Sequence, residues 1–157
     1  MSKEGQSTQV IIPDELSKKL KKFRIARLAK DNGGKVKAIV VKITYHEEGE
    51  KSSMEEDDDL DDVDTSGEVD LEELVEALPT SSPRYIVLVF WKQYDDGRET
   101  ERLALVNWVP PNSNPTQLTL HAMASKQFEK AVMANTVIEV REGAEGLNME
   151  LLLEKTK

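Results

Sequence analysis

The 157-residue chain predicts a single α/β domain, a mixed sheet sandwiched between helices. Three observations carry that prediction. Two nearly continuous apolar runs, residues 85–91 and 103–109, flank a turn signal at Asp95-Asp96-Gly97. Aromatic and β-branched residues dominate both runs, so they read as paired strands, and Asp-Gly suits a tight hairpin. Runs apolar at consecutive positions belong to strands covered on both faces. Amphipathic and capped helical stretches lie before, between and after the strands, as such covering layers require.

In chain order, residues 12–27 (IPDELSKKLKKFRIAR) predict an amphipathic helix with Asp14 as its cap. Leu16, Leu20 and Phe23 form one apolar stripe, and lysines and arginines occupy the rest. Asp31-Asn32-Gly33-Gly34 breaks that segment. Residues 35–45 (KVKAIVVKITY) alternate as a strand beside the hairpin, and a further strand over 47–53 is only faintly patterned. Residues 46–68 are acidic and poor in apolar side chains, which predicts a mobile loop insertion, bounded at about 46–69. Residues 70–78 (DLEELVEAL) predict a short helix capped by Asp70. Asn114-Pro115 opens a long helix running to about Ala134, with Leu120, Ala124, Phe128 and Ala131 facing inward. A last strand over 136–141 and a short helix over 147–153 complete the order α-β-(acidic loop)-α-β-β-α-β-α. Residues 1–11 are expected to be a flexible N-terminal segment ahead of the domain at 12–157.

The charge is sharply segregated. Residues 46–76 hold sixteen acids and one base, whereas residues 1–45 hold eleven bases and four acids. The overall charge of −9 therefore hides a basic surface on the first helix. With no cysteine, disulfides, thiolate catalysis and cysteine-ligated zinc are excluded. No apolar run is long enough to span a membrane. No serine has partners for nucleophilic catalysis, and Gly33-Gly34-Lys35 lacks phosphate-loop spacing. His46 and His121 have no ligand spacing and read as surface or helix residues; Trp91 and Trp108 read as core. An enzyme is not expected, and no cofactor is called for.

Several segments together resemble the actin-depolymerising-factor homology domain, the fold of ADF/cofilin proteins, and within it the glia maturation factor branch. They are DELSKKLKKFR at 14–24, LPTSSPRYIV at 78–87, YDDGR at 94–98 and ASK at 124–126. The resemblance covers roughly residues 12–155 without the acidic tract, and that tract looks like fungal members of the branch. It implies a cytoplasmic, monomeric actin-cytoskeleton regulator, found at cortical actin patches. Such a protein binds the actin-related-protein branching complex, dissociates filament branches and inhibits branch nucleation. Actin itself is expected to be bound weakly or only at branch junctions, and neither nucleic acid nor membrane is an expected partner.

The resemblance also implies contact residues. First-helix bases map to Lys19, Lys21, Lys22, Arg24 and Arg27. The long-helix contact maps to Ser125 and Lys126, with Leu120 and Met123 nearby. The loop that touches the daughter filament maps to Asp95, Asp96 and Arg98. Cofilin-type proteins carry lysines early in the long helix where this chain has Gln117 and Thr119, which implies weak binding to filament sides. Ser2 and Ser7 lie where phosphate charge would oppose docking.

Two alternatives stay open. One is a cofilin-like filament binder and severing protein. The other is a calcium-responsive adaptor: residues 62–73 fit an EF-hand loop, with Asp62, Asp64, Ser66, Asp70 and Glu73 at ligand positions and Gly67 at the turn. The entering helix and a second loop are missing, and an acidic linker makes the same pattern by composition. No metal site is therefore assigned.

Overall fold

The computed structural model describes residues 10–44, 52–60 and 63–156. Strand β1 is Val10–Ile11, followed by helix α1, Asp14–Phe23. Then come β2 (Lys37–Thr44), β3 (Ser52–Glu56), α2 (Leu71–Ala77), β4 (Arg84–Gln93) and β5 (Glu99–Trp108). Helix α3 (Pro115–Val132), β6 (Thr136–Val140), a 3₁₀ turn over Gly143–Gly146 and α4 (Met149–Lys155) complete the chain. The six strands form one mixed sheet in the order β1-β3-β2-β4-β5-β6. Pairings β3-β2, β2-β4 and β4-β5 are antiparallel, while β1-β3 and β5-β6 are parallel.

The continuous apolar runs are explained by two cores. On β4, Ile86, Leu88 and Phe90 face one layer, while Tyr85 and Val87 face the other. Strands β2 and β5 alternate likewise, with Val40 and Val106 on one side and Ile39 and Leu105 on the opposite side. Leu71, Leu74 and Val75 of α2 and Leu152 of α4 cover the first side. Leu16 and Leu20 of α1 and Leu120, Ala124, Phe128 and Val132 of α3 cover the second. Helices α1 and α3 therefore lie side by side on one face of the sheet.

The helix starts follow side-chain chemistry. The Asn114 side chain accepts from the amides of Thr116 (2.9 Å) and Gln117 (3.1 Å), with Pro115 following as the first helical residue. Asp70 caps α2 in the same way, accepting from Glu72 and Glu73. In the hairpin turn, Gly97 adopts φ +91°, a conformation that Asp-Gly makes accessible.

Four sequence expectations need correction. The first helix does not reach Arg27: Asp14 is its first residue rather than its cap, and it ends at Phe23. Beyond Arg24 the chain leaves the helix because Leu28 is drawn into the body, only 6% exposed, with its amide donated to Glu101 Oε2 at 2.7 Å. Second, the acidic tract is not simply an insertion. Ser52–Glu56 enters the sheet as β3, and Met54 is fully buried between β2 and α1. Third, Val10 and Ile11 pair with β3 as β1, so sheet structure begins before residue 12. Fourth, Trp108 is core, but Trp91 is only half-buried and donates its indole N–H to Ala29 O at 3.0 Å.

Candidate functional site

The first-helix bases fall into two groups. Lys21, Lys22 and Arg24 are exposed and pair with no acid among the described residues. They are held outward because Leu16 and Leu20 face the core from the opposite side of α1. Lys19 instead pairs with Glu56 of β3. Arg27, outside the helix, bonds Glu101 Oε1 at 3.2 Å. Glu101 opposes Trp91 in the hairpin ladder, so Arg27 joins the exit of α1 to the turn end of β4 and β5.

On α3 the expected contact residues separate by face. Met123 is 50% exposed, and Lys126 is exposed beside Glu129 at 3.7 Å. Ser125 is half-buried and donates its hydroxyl to Ala122 O at 3.0 Å. Leu120 turns inward: it is buried in the second core and lines a cleft of about 320 Å³ with Ile43, Pro83 and Arg84. Its side chain supports the strip from beneath rather than presenting an apolar contact.

The hairpin turn is internally braced. Arg98 donates its amide (3.0 Å) and its Nε (2.8 Å) to the Asp96 carboxylate, and its guanidinium lies 4.9 Å from the Tyr94 ring centroid. Asp95 is exposed at the tip. These contacts shape a projecting loop, because one ties the Asp96 side chain to the backbone and the others join side chains within the turn.

Beneath α3 sits a buried polar cluster that sequence reasoning missed. Tyr85, His121 and Phe128 stack, with ring centroids 3.9 and 4.5 Å apart. His121 Nε2 lies 3.1 Å from Asn107 Oδ1. Burial holds the His121 imidazole down at about 4, so it is neutral near pH 7. Burial pushes the Tyr85 phenol up, keeping it a donor. Only the spacing of Tyr85 in an apolar strand hinted at this cluster, since a histidine in a polar-looking helix carries no burial signal.

The EF-hand-like segment is used otherwise. Asp64 accepts from the Ser66 hydroxyl at 2.6 Å and amide at 3.0 Å, bonds that hold its carboxyl below the usual range. The Asp70 carboxylate caps α2. Among the described residues no three His, Cys, Asp or Glu side chains converge as a metal site. Asp62, His46, Ser2 and Ser7 lie outside the described residues, as does most of the faint strand at 47–53.

Comparison with known proteins decides the family. The model of the cofilin/tropomyosin-type actin-binding proteins matches residues 9–157. The chain belongs to that family. Its sequence relatives are glia maturation factors. The protein from Drosophila melanogaster is 27% identical over 131 residues, covering 83% of this chain and 84% of the fly protein. Human glia maturation factor beta is 29% identical over 144 residues, covering 92% of this chain and 90% of the human protein. The glia maturation factor of Caenorhabditis elegans superposes with a TM-score of 0.65 at 23% identity, covering 94% of this chain and 95% of the nematode protein. Coactosin from Entamoeba histolytica shares the fold at 11% identity, with a TM-score of 0.66 and 94% of each chain covered. The chain is thus an actin-binding protein of the ADF-homology fold, from the glia maturation factor branch. Among the described residues no helix is long and apolar enough to cross a membrane.

Proposed function

We propose that this protein binds the actin-related-protein branching complex, dissociates filament branches and inhibits new branch nucleation. The observation that carries this reading is the placement of two unlike surfaces side by side. Helix α1, whose exposed Lys21, Lys22 and neighbouring Arg24 pair with no acid among the described residues, packs beside helix α3, which exposes Met123 and Lys126, on one face of the sheet. The cationic part suits an acidic actin-related surface, where opposite charge steers encounter and sets register. The braced turn at Asp95, Asp96 and Arg98 projects from the far end of the hairpin, where a daughter filament subunit would meet it. The names of the relatives support the branch of the family, and Gln117 and Thr119 early in α3 remove two cations that filament-side binding uses in the resemblance. Its place of action is then the cytoplasmic actin network, at cortical patches.

Fluorescence imaging of preformed branches tests the proposal. The purified protein should shorten branch lifetime, and a triple reversal of Lys21, Lys22 and Arg24 to Glu should abolish that effect while the circular dichroism spectrum is unchanged. Unaltered branch lifetime with the wild-type protein refutes the function. Strong co-sedimentation with unbranched filaments at modest salt would favour a cofilin-like activity instead.

A further inference from the structure

Ile25 is the most exposed large apolar side chain among the described residues, at 78%. A single exposed apolar residue is ordinary, so exposure alone says little. What distinguishes Ile25 is how firmly the chain around it is fastened. Its own amide donates to Lys22 O at 3.2 Å, and the Ala26 amide donates to Phe23 O at 3.0 Å, so the backbone keeps turning past the end of α1. Immediately downstream, Glu101 receives both Arg27 Nη1 and the Leu28 amide. The Ala29 amide donates to Glu68 Oε2 at 2.6 Å, while Ala29 O accepts from the Trp91 indole. Three separate parts of the molecule, the tract before α2 and both hairpin strands, hold this loop. Ile25, the one large apolar side chain of this loop that they leave exposed, is therefore presented in a fixed position.

Its surroundings are cationic. Lys22 lies one hydrogen-bonded turn back, Lys21 lies beside it, and Arg24 is the adjacent residue. An apolar centre with a charged rim is the arrangement of a protein-binding hot spot, where the rim excludes water from a buried anchor.

We propose that Ile25 is the apolar anchor of this surface, filling an apolar pocket with an acidic rim on a protein partner. The inference rests on the function proposed above, in which that partner is an actin-related subunit. The division of labour follows from the physics. Lys21, Lys22 and Arg24 accelerate encounter and make it salt-sensitive, whereas Ile25 loses its water only in the docked complex and so slows dissociation. An anionic membrane fits less well. Asp14 and Glu15 begin the same helix and Glu56 pairs with its Lys19, so a continuous negative surface meets acids as well as bases. One isoleucine also offers too little apolar area to hold a protein on a bilayer.

The test compares the full-length wild type with Ile25→Gln and Ile25→Leu on immobilised branching complex, at low and at physiological salt. Ile25→Gln should dissociate at least about tenfold faster, with the association rate and its salt dependence within about twofold of wild type. Ile25→Leu should recover most of the residence time. Triple reversal of the flanking bases should instead slow association and flatten the salt dependence. Wild-type dissociation by Ile25→Gln overturns the anchor. If the wild type does not bind the complex, the functional proposal fails, and the same comparison is made on monomeric actin. Faster release by Ile25→Gln there retains the anchor; equal release, or no binding to either, overturns it. Ile25-dependent pelleting with phosphatidylserine vesicles, with protein binding unchanged, overturns it in favour of a membrane.

Discussion

Tyr85 and His121 are joined twice. The Tyr85 hydroxyl donates to the backbone carbonyl of His121 at 2.6 Å, and the two rings stack with centroids 3.9 Å apart. The bond ties the first residues of β4 to the first half of α3, and so sets the height of the exposed strip above the sheet. Tyr85→Phe keeps the stack and loses the hydrogen bond, which should cost about 1 kcal/mol. Tyr85→Ala removes both and should cost about 3–5 kcal/mol. Urea melts measure the pair of values; equal stability of the wild type and Tyr85→Phe would remove the bond from the account.

His121 makes stability depend on pH. In the fold its imidazole titrates at about 4, against 6.5 when unperturbed. Between those values the unfolded chain binds the proton and the folded one does not. Its contribution is therefore fully present above pH 6.5 and is lost as pH falls toward 4. The loss is on the order of 3 kcal/mol. His121→Gln should shrink the difference in unfolding free energy between pH 7 and pH 4.5. A difference identical to wild type would show that carboxylates alone cause the acid sensitivity.

Asp57 and Arg84 form a buried ion pair, Nε to Oδ2 at 2.8 Å, with side-chain exposures of 6% and 15%. Asp57→Ala leaves the largely buried guanidinium with one remaining bond among the described residues, to Pro83 O. A loss of about 3 kcal/mol is expected. Replacing both residues together with apolar side chains should restore part of it. A double mutant no better than Asp57→Ala would argue against an unpaired charge as the cause.

Glu56 competes for Lys19. Glu56→Gln should release that lysine to the docking surface and raise the association rate with the branching complex about two- to threefold at low salt, with little change at high salt. An on-rate indifferent to the substitution at both salts would mean that Lys19 lies outside the contact. Deleting residues 50–66 would not substitute for this single change, since it removes β3.

Glu101 fastens the loop beyond α1. Glu101→Ala should speed hydrogen exchange at the Leu28 amide by at least about tenfold, because that donor loses its acceptor and the loop opens locally. Unchanged protection would mean that burial of Leu28 holds the loop without the carboxylate.

Much of this was legible in the residues. The hairpin could be read because its apolar runs, flanking Asp-Gly, have few other uses. Helix α3 was announced by Asn114-Pro115, and α2 by Asp70. The basic face could be read because Leu16 and Leu20 assign the opposite side of α1 to the core. Strand β3 was nearly invisible: SSMEE offers one apolar residue, Met54, and its place depends on pairing with β2, a nonlocal cause. The end of α1 was misplaced for a similar reason. Residues 24–27 have acceptable helical propensity, and the partners that draw the chain aside, Glu101 among them, lie far away in sequence. The pairings of Lys19 and Arg27 are equally nonlocal. A sequence shows which residues carry charge, but the fold decides which of them remain available.

Strand β3 places an unusual condition on the most charged part of the chain. Among the described residues, Val10 and Ile11 have β3 as their sole strand neighbour, with Gln127 adding one bond to Val10 O at 3.0 Å. The lead-in to α1 is thus moored to the acidic tract. The tract therefore carries part of the sheet as well as charge. A variant shortened to a bare turn between β2 and α2 would leave the first residues of the domain with little to lie against, and the orientation of the basic helix would change without any substitution in the helix itself.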